Sequence, residues 1–251
     1  MTFPEQSKAA PRLSVIISVK DEEENIAPLI DEIDAALAFE PFELIFVDDG
    51  STDGTLAALK KAALTRPYLR IIRHAQACGK SAGVETGVWA ARGDLLLHLD
   101  GDGQNNPAYL TEMVRVMDAA GPNVGMVQGE RQGRKDTGFK RFQSRLANRV
   151  RSFMLNDGTR DTGCGLKVVR RSAQQRMPMF DGQHRFMTSL LRREGYEILT
   201  VKVVDRERWH GTSKYGFWNR LGVGILDLFG VWWLVRRRKL PKIVERFPDA
   251  G

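Results

Sequence analysis

Residues 94–107 read DLLLHLDGDGQNNP, a continuous apolar run that ends in two carboxylates one residue apart, Asp100 and Asp102, with glycines at Gly101 and Gly103. The apolar part reads as a strand buried on both faces, and Pro107 suits the first turn of a helix behind it. Two charges side by side at one strand end repel, so a cation belongs between them. A solvated turn uses the same residue types, and the rest of the chain has to decide.

The same pattern recurs on either side. LSVIISV (13–19), FELIFVDD (42–49), LRIIRH (69–74) and VGMVQG (124–129) are short β-branched or apolar runs, while 25–38, 55–64, 81–91 and 107–120 place apolar residues at helical spacing. Strand and helix alternate four times, which predicts an α/β fold, a mostly parallel sheet with right-handed crossovers and flanking helices. Such sheets bind ligands at the carboxyl ends of their strands, where this sequence puts Asp48, Asp49, Asp100 and Asp102. Beyond residue 130 the rhythm gives way to a basic amphipathic stretch, a Gly-rich turn, another helix, a strand and an apolar tail.

The chain has 251 residues, 42% of them hydrophobic, with 12 Phe and 5 Trp, which excludes a disordered protein. One large domain is expected. A net charge of +7 calls for an anionic partner. Nucleic acid is excluded because the strand-end carboxylates repel phosphates and no nucleic-acid motif is present; a dehydrogenase is excluded because no G-x-G-x-x-G follows the first strand. Cys78 and Cys164 fit neither a metal spacing nor a disulfide framework, and the first residues lack the apolar core of a signal peptide. A reducing cytosol is expected.

Asp100 and Asp102 suit Mg²⁺ or Mn²⁺, which take one or two carboxylates plus phosphate oxygens. In VDDGSTDGT (47–55), Asp53 caps the next helix, whereas Asp49 needs a hydrogen-bonding partner such as a base, a ribose or metal-bound water. RERWHGTSKYG (206–216) gathers Arg206, Arg208, His210, Ser213 and Lys214 around a glycine, an anion cradle, and GERQGR (129–134) adds Arg131 and Arg134. Asp161, in RDTGCGLK (160–167), either meets a ligand or caps a turn; Cys164 is packing.

Taken together, SVKDEEENI (18–26), VDDGSTDGT, GKSAGVETG (79–87) and LDGDGQNNP (99–107) resemble, in order and spacing, the inverting family 2 glycosyltransferases with a GT-A fold. RDTGCGLKVVRR (160–171) and RERWHGTSKYGFWNR (206–220) look like their polyprenyl-phosphate branch, the dolichyl-phosphate mannose synthase-like enzymes. The resemblance implies transfer of a sugar from a UDP- or GDP-sugar to a polyprenyl phosphate, with inversion. It puts Ser18, Asp21, Glu23, Asp49 and Lys80 at the nucleotide sugar and Asp100, Asp102 and Gln104 at the metal and diphosphate. Arg131, Arg208, Ser213 and Lys214 then hold the acceptor phosphate, and Asp102, Asp161 and Arg131 form the catalytic set. The first loop departs from the family's Pro-x-x-Asn-Glu pattern, having Val19, Lys20, Asp21 and Glu22. A family 2 enzyme with a glycan or glycolipid acceptor is the alternative.

These readings divide the chain into a flexible N-terminus (1–12), a GT-A domain (13–215, nucleotide-sugar half to about 131 and acceptor half from about 132), a membrane-associating or packing helix (216–240) and a tail (241–251). The apolar part of LGVGILDLFGVWWLVRRRKL (221–240) contains Asp227 and is shorter than the roughly 20 residues of a membrane span, so the helix is expected to lie at an interface. GFKRFQSRLANRVRSFML (138–155) is a basic amphipathic helix that either meets an anionic membrane or packs. A peripheral enzyme on the cytoplasmic face of the inner membrane is expected, with a homo-oligomer possible.

Overall fold

The computed structural model describes residues 11–132, 151–155, 158, 161, 163–209 and 217–241, apart from the side chains of 217–223. Seven strands form one sheet: β1 (Leu13–Val19), β2 (Phe42–Asp48), β3 (Leu69–Arg73), β4 (Leu95–His98), β5 (Val124–Arg131), β6 (Lys167–Arg170) and β7 (Glu197–Val203). The helices are α1 (Glu23–Ala36), α2 (Thr55–Ala63), α3 (Lys80–Ala90), α4 (Ala108–Ala119), α5 (Arg171–Gln174), α6 (Met187–Arg193) and α7 (Phe217–Arg237). Residues 151–155 are helical, and the rest of the expected amphipathic segment lies outside the described residues.

Strand order is β3-β2-β1-β4-β6-β5-β7. β1 pairs in parallel with β2 (Leu13↔Phe42 to Val19↔Asp48) and with β4 (Leu13↔Leu95 to Ile16↔His98), so the chain reverses its direction of travel across the sheet at β1. That reversal is the place where an open α/β sheet leaves a crevice at its strand ends. The sheet is mostly parallel, as expected, and one strand is inverted. β6 runs antiparallel to both β4 (His98↔Lys167) and β5 (Gln128↔Lys167), while β7 is parallel to β5.

This one inverted strand decides what the site contains. Because β6 runs backwards, its entry loop at 163–166 arrives at the carboxyl ends of β4 and β5, where Asp100 and Arg131 stand; the segment after β7 ends on the same rim.

The core follows from the sequence pattern. On β1, Val15, Ile17 and Val19 join one buried cluster with Leu29, Ile33 and Met113, while Ile16 faces the other side against Val84 and Val88 of α3. Both faces are covered, as a continuous apolar strand requires. α3 lies close on β1 because it carries glycines there: a Cβ on Gly87 would collide with Ile16 Cγ2 and one on Gly83 with Ser18 Oγ. A third cluster, with Met126, Val169, Leu190 and Val231, joins the later half of the sheet to α6 and α7.

Candidate active site

The turn after β4 holds the two carboxylates apart by local hydrogen bonds. Asn105, 2% exposed, accepts the Asp100 backbone N–H at 3.0 Å through Oδ1 and donates to Asp205 at 3.3 Å. Asp102 Oδ1 accepts the Gln104 N–H at 3.1 Å. Gly103 sits at φ +75° against the Trp209 ring, a conformation and a proximity that both exclude a side chain.

Each carboxylate is met by a cation from a distant element. Lys80 Nζ, at the start of α3, donates to Asp100 Oδ1, and Arg208, beyond β7, donates to Asp102 Oδ2 at 2.7 Å. Burial raises the Asp100 carboxyl, but the charge and hydrogen bond of Lys80 outweigh it and leave it below its ordinary value. Asp102 is pushed the other way, by burial and by the negative charge of Asp100. The pair's donors are hard carboxylate oxygens one residue apart at a crevice, a donor set that fits a divalent cation.

The nucleotide-side residues form a frame between two loops. Asp21, at φ +52°, accepts the Thr52 N–H at 2.7 Å, and its own N–H donates to Ser51 Oγ at 2.9 Å. Glu23 accepts the Gly54 N–H at 3.0 Å. Asp53 accepts the Thr55 N–H at 3.0 Å in a tight turn into α2, but the N-cap position is Gly54 and carries no side-chain cap bond, so Asp53 does not take the capping position expected of it. The partner that Asp49 needs comes from the chain itself: it accepts the N–H groups of Cys78 and Gly79, each at 2.8 Å, and lies 2.8 Å from His74 Nδ1. Burial raises the Asp49 carboxyl, yet these hydrogen bonds win and lower it. Its bonds fix Gly79, at φ +90°, and hence the position from which Lys80 reaches Asp100. Ser18 lies at the foot of this frame, lining a cavity with Lys80 and Asp100.

On the acceptor side, Asp161 takes two bonds from the Arg131 guanidinium, Nε and Nη2 each at 2.7 Å, and Arg131 Nη1 reaches Asp205 at 3.3 Å. The Gly163 N–H also donates to Asp161 at 3.1 Å, so Asp161 organises its turn as well as facing the site. Arg131 outweighs the effect of burial and holds the Asp161 carboxyl low. Arg206 binds Glu32 of α1 at 2.7 and 2.8 Å and stacks on Trp209, its guanidinium 4.7 Å from the ring centre, while its backbone N–H donates to the Gln104 carbonyl at 2.9 Å, so the 204–209 segment is tied to α1 and to the acidic turn. Cys164 is fully buried and its thiol is pushed up to about 11 by burial, as packing requires. Arg134, His210, Ser213 and Lys214 lie outside the described residues.

Sequence reading missed Asn105, His74, Asp205, Lys167 and His184. Asn105 and Asp205 look like loop residues, and only the fold shows them bridging segments a hundred positions apart.

A GT-A-like glycosyltransferase fold is what the sheet order and the acidic crevice define, and solved structures agree. A mannosyltransferase from Pyrobaculum calidifontis in complex with GDP-Man and Mn²⁺ superposes with TM-score 0.67 at 23% identity, covering 93% of this chain and 67% of that one. Glucosyl-3-phosphoglycerate synthase from Mycobacterium tuberculosis, with Mn²⁺, UDP and phosphoglyceric acid, gives TM-score 0.67 at 20% identity, covering 94% and 81%. The glycosyl transferase family 2 model matches residues 14–177, and the chain belongs to that family. It is 33% identical to the dodecaprenyl-phosphate galacturonate synthase of Rhizobium johnstonii, over 91% of this chain and 69% of that protein. It is 31% identical to the undecaprenyl-phosphate 4-deoxy-4-formamido-L-arabinose transferase of Edwardsiella ictaluri, over 81% and 63%. The chain thus spans about two thirds of the length of these relatives.

Proposed function

We propose that this family 2 enzyme transfers one sugar, with inversion, from a UDP- or GDP-sugar to a polyprenyl phosphate. The observation that carries the reading is the Asp100–Asp102 pair at the strand reversal, two carboxylates on one rim with Lys80 and Arg208 beside them; the polyprenyl-phosphate acceptors in the names of two similar proteins support the second substrate. Asp100 and Asp102, with Gln104 beside them, would hold Mg²⁺ or Mn²⁺, which supplies positive charge to the departing nucleoside diphosphate. Lys80 and Arg208 flank that charge and neutralise what remains. Ser18, Asp21, Glu23 and Asp49 shape the nucleotide side.

The acceptor phosphate is already an oxyanion. One of its oxygens forms the new bond to the anomeric carbon as the bond to the diphosphate breaks, and no proton has to leave. Asp161, held as a carboxylate by Arg131, orients Arg131 beside the crevice; neither group has to act as a base. Arg131 and Arg208, with Ser213 and Lys214 of the cradle, bind the acceptor phosphate.

The test is Mg²⁺- or Mn²⁺-dependent transfer from a panel of labelled UDP- and GDP-sugars to a short polyprenyl phosphate, read as the mass of the lipid product. One labelled lipid is expected. Donor hydrolysis without lipid labelling leaves the glycosyltransferase and removes the polyprenyl acceptor, favouring a glycan or glycolipid.

The lipid acceptor calls for a membrane contact, and α7 offers one. Val231 is buried while Leu228, Trp232 and Val235 pack on the core, so one face of the helix is a packing face. Leu226, Phe229 and Trp233 on the opposite face are 73, 55 and 56% exposed, next to Arg236, Arg237 and Lys239. An apolar stripe flanked by basic residues suits the interface of an anionic bilayer, which supports the reading of a peripheral enzyme on the cytoplasmic face of the inner membrane. Among the described residues no helix is long and apolar enough to cross a membrane. Changing Leu226, Phe229 and Trp233 together to Asp is expected to lower binding to phosphatidylglycerol vesicles by at least about tenfold, about 1.4 kcal/mol, in flotation of the full chain. Unchanged flotation assigns membrane contact to another segment.

A further inference from the structure

The cavity beside the acidic turn holds a charge that the nucleotide and the diphosphate leave unused. About 140 Å³ of space is lined by Ser18, Lys80, Asp100, Lys167, His184 and Arg185, among others. Its three cations are not equivalent. Lys80 is bonded to Asp100, and Arg185 is paired with Asp227 of α7 at 2.7 Å. Lys167, opposite His98 in the β4–β6 register, is only 6% exposed and donates to the Cys164 carbonyl; among the described residues no carboxylate bonds to it directly, and Asp100 and Asp161 act on its charge only through space.

The neighbouring imidazole adds no counter-charge. Burial and Lys80 push His184 down to about 3, so it is neutral at pH 7 and donates or accepts only as a polar group, 2.8 Å from Ser81 Oγ. Burial pushes Lys167 itself down to about 8, which leaves it protonated at neutral pH. A buried cation without a direct counter-ion is destabilising, and its place on the lining of this cavity points to an anion that arrives with a ligand. Asp100 stands on the rim of this space, so the group hanging from a diphosphate held at Asp100 and Asp102 enters it.

We infer that the donor sugar is itself anionic, a hexuronate whose carboxylate pairs with Lys167 at the floor of the cavity. The inference rests on the nucleotide-sugar reading of the site. A neutral hexose would leave Lys167 without a direct ionic partner, whereas a carboxylate gives it a charge-assisted hydrogen bond.

The test compares UDP-glucuronate, UDP-galacturonate and GDP-mannuronate with UDP-glucose, UDP-galactose and GDP-mannose, in equilibrium binding with Mn²⁺ and in transfer to a short polyprenyl phosphate. One uronate is expected to bind at least about tenfold more tightly than its neutral counterpart, as a hydrogen bond to a charged group allows. Lys167→Met should abolish that preference and leave the Kd of the bare nucleoside diphosphate unchanged, with Lys167→Arg retaining part of it. Equal or tighter binding of the neutral sugars overturns the inference, as does a Lys167→Met variant that loses bare nucleotide and uronate alike, which makes Lys167 a diphosphate ligand. Should Lys167→Met fail to fold, the wild-type ratio of uronate to neutral binding decides. Uronate binding without lipid product removes the polyprenyl acceptor and keeps the inference; failure to bind any nucleotide sugar removes both.

Discussion

Asp102→Asn is expected to cut turnover at least about tenfold, about 1.4 kcal/mol of barrier, while leaving the fold at or near its wild-type stability. The two halves of this expectation have one cause. Asp102 is buried beside Asp100 and both are negative, so its ionised form is held at a cost that an amide does not incur. Asn keeps the shape and can still accept the Gln104 N–H. What it loses is the ion pair with Arg208, whose side chain is 29% exposed, an interaction worth about 0–1 kcal/mol. Relief of repulsion from Asp100 offsets that loss. Catalysis has no such compensation, because the charge itself is what would hold the metal and, through it, the diphosphate.

The sign of the pH effect follows. A carboxyl whose folded pKa is raised above its unfolded value makes the fold more stable as pH falls through the raised value. Acidification should therefore protonate Asp102, raise its contribution to stability and switch the enzyme off together. Kinetics and thermal melts of wild type and variant between pH 7 and pH 4 check both. A variant with near-normal turnover refutes the role of Asp102 in the site.

The first half of the chain was legible because its information is local. Each strand is an apolar run, each crossover helix carries its own period, and a parallel sheet brings the ends of β1, β2 and β4 to one rim without further instruction. Asp48, Asp49, Asp100 and Asp102 could therefore be placed at a crevice from spacing alone. β6 escaped because its four residues, KVVR, look like the end of a basic loop and its direction is set by partners rather than by its own sequence. With β6 went Lys167, which in the sequence is one cation in a charged stretch and in the fold is the buried one. The double face of α7 was equally hidden: the sequence offered membrane contact or packing as alternatives, and the helix packs Val231 while exposing Leu226, Phe229 and Trp233.

Arg131→Met is expected to be the most destabilising single change in the site. The guanidinium neutralises two carboxylates, Asp161 and Asp205, whose side chains are 11% and 24% exposed, and its own is 16% exposed. Removing one partner of such a pair leaves buried charge behind and costs about 3–5 kcal/mol, against a total stability of roughly 5–15 kcal/mol for a domain. At roughly 2–4 °C per kcal/mol for a chain of this size, the melting temperature should fall by about 6–20 °C. The pH dependence distinguishes this account from a loss of packing. In the wild type Asp161 is held low, so its contribution is present above the ordinary carboxylate value and fades only as pH falls through the lower folded value. Without the Arg131 side chain, burial is opposed only by the backbone N–H bonds of residue 131 and Gly163, so the Asp161 carboxyl rises and the variant should lose less stability on mild acidification than the wild type. The gap between the two melting curves should narrow from pH 7 to pH 5, and adding Asp161→Asn to Arg131→Met should recover part of the loss, because the stranded charge goes with it. A constant gap, with no recovery in the double variant, would mean that Arg131 stabilises the fold by its bulk, and an unchanged melting temperature would mean that its guanidinium is free to leave Asp161 for the acceptor phosphate.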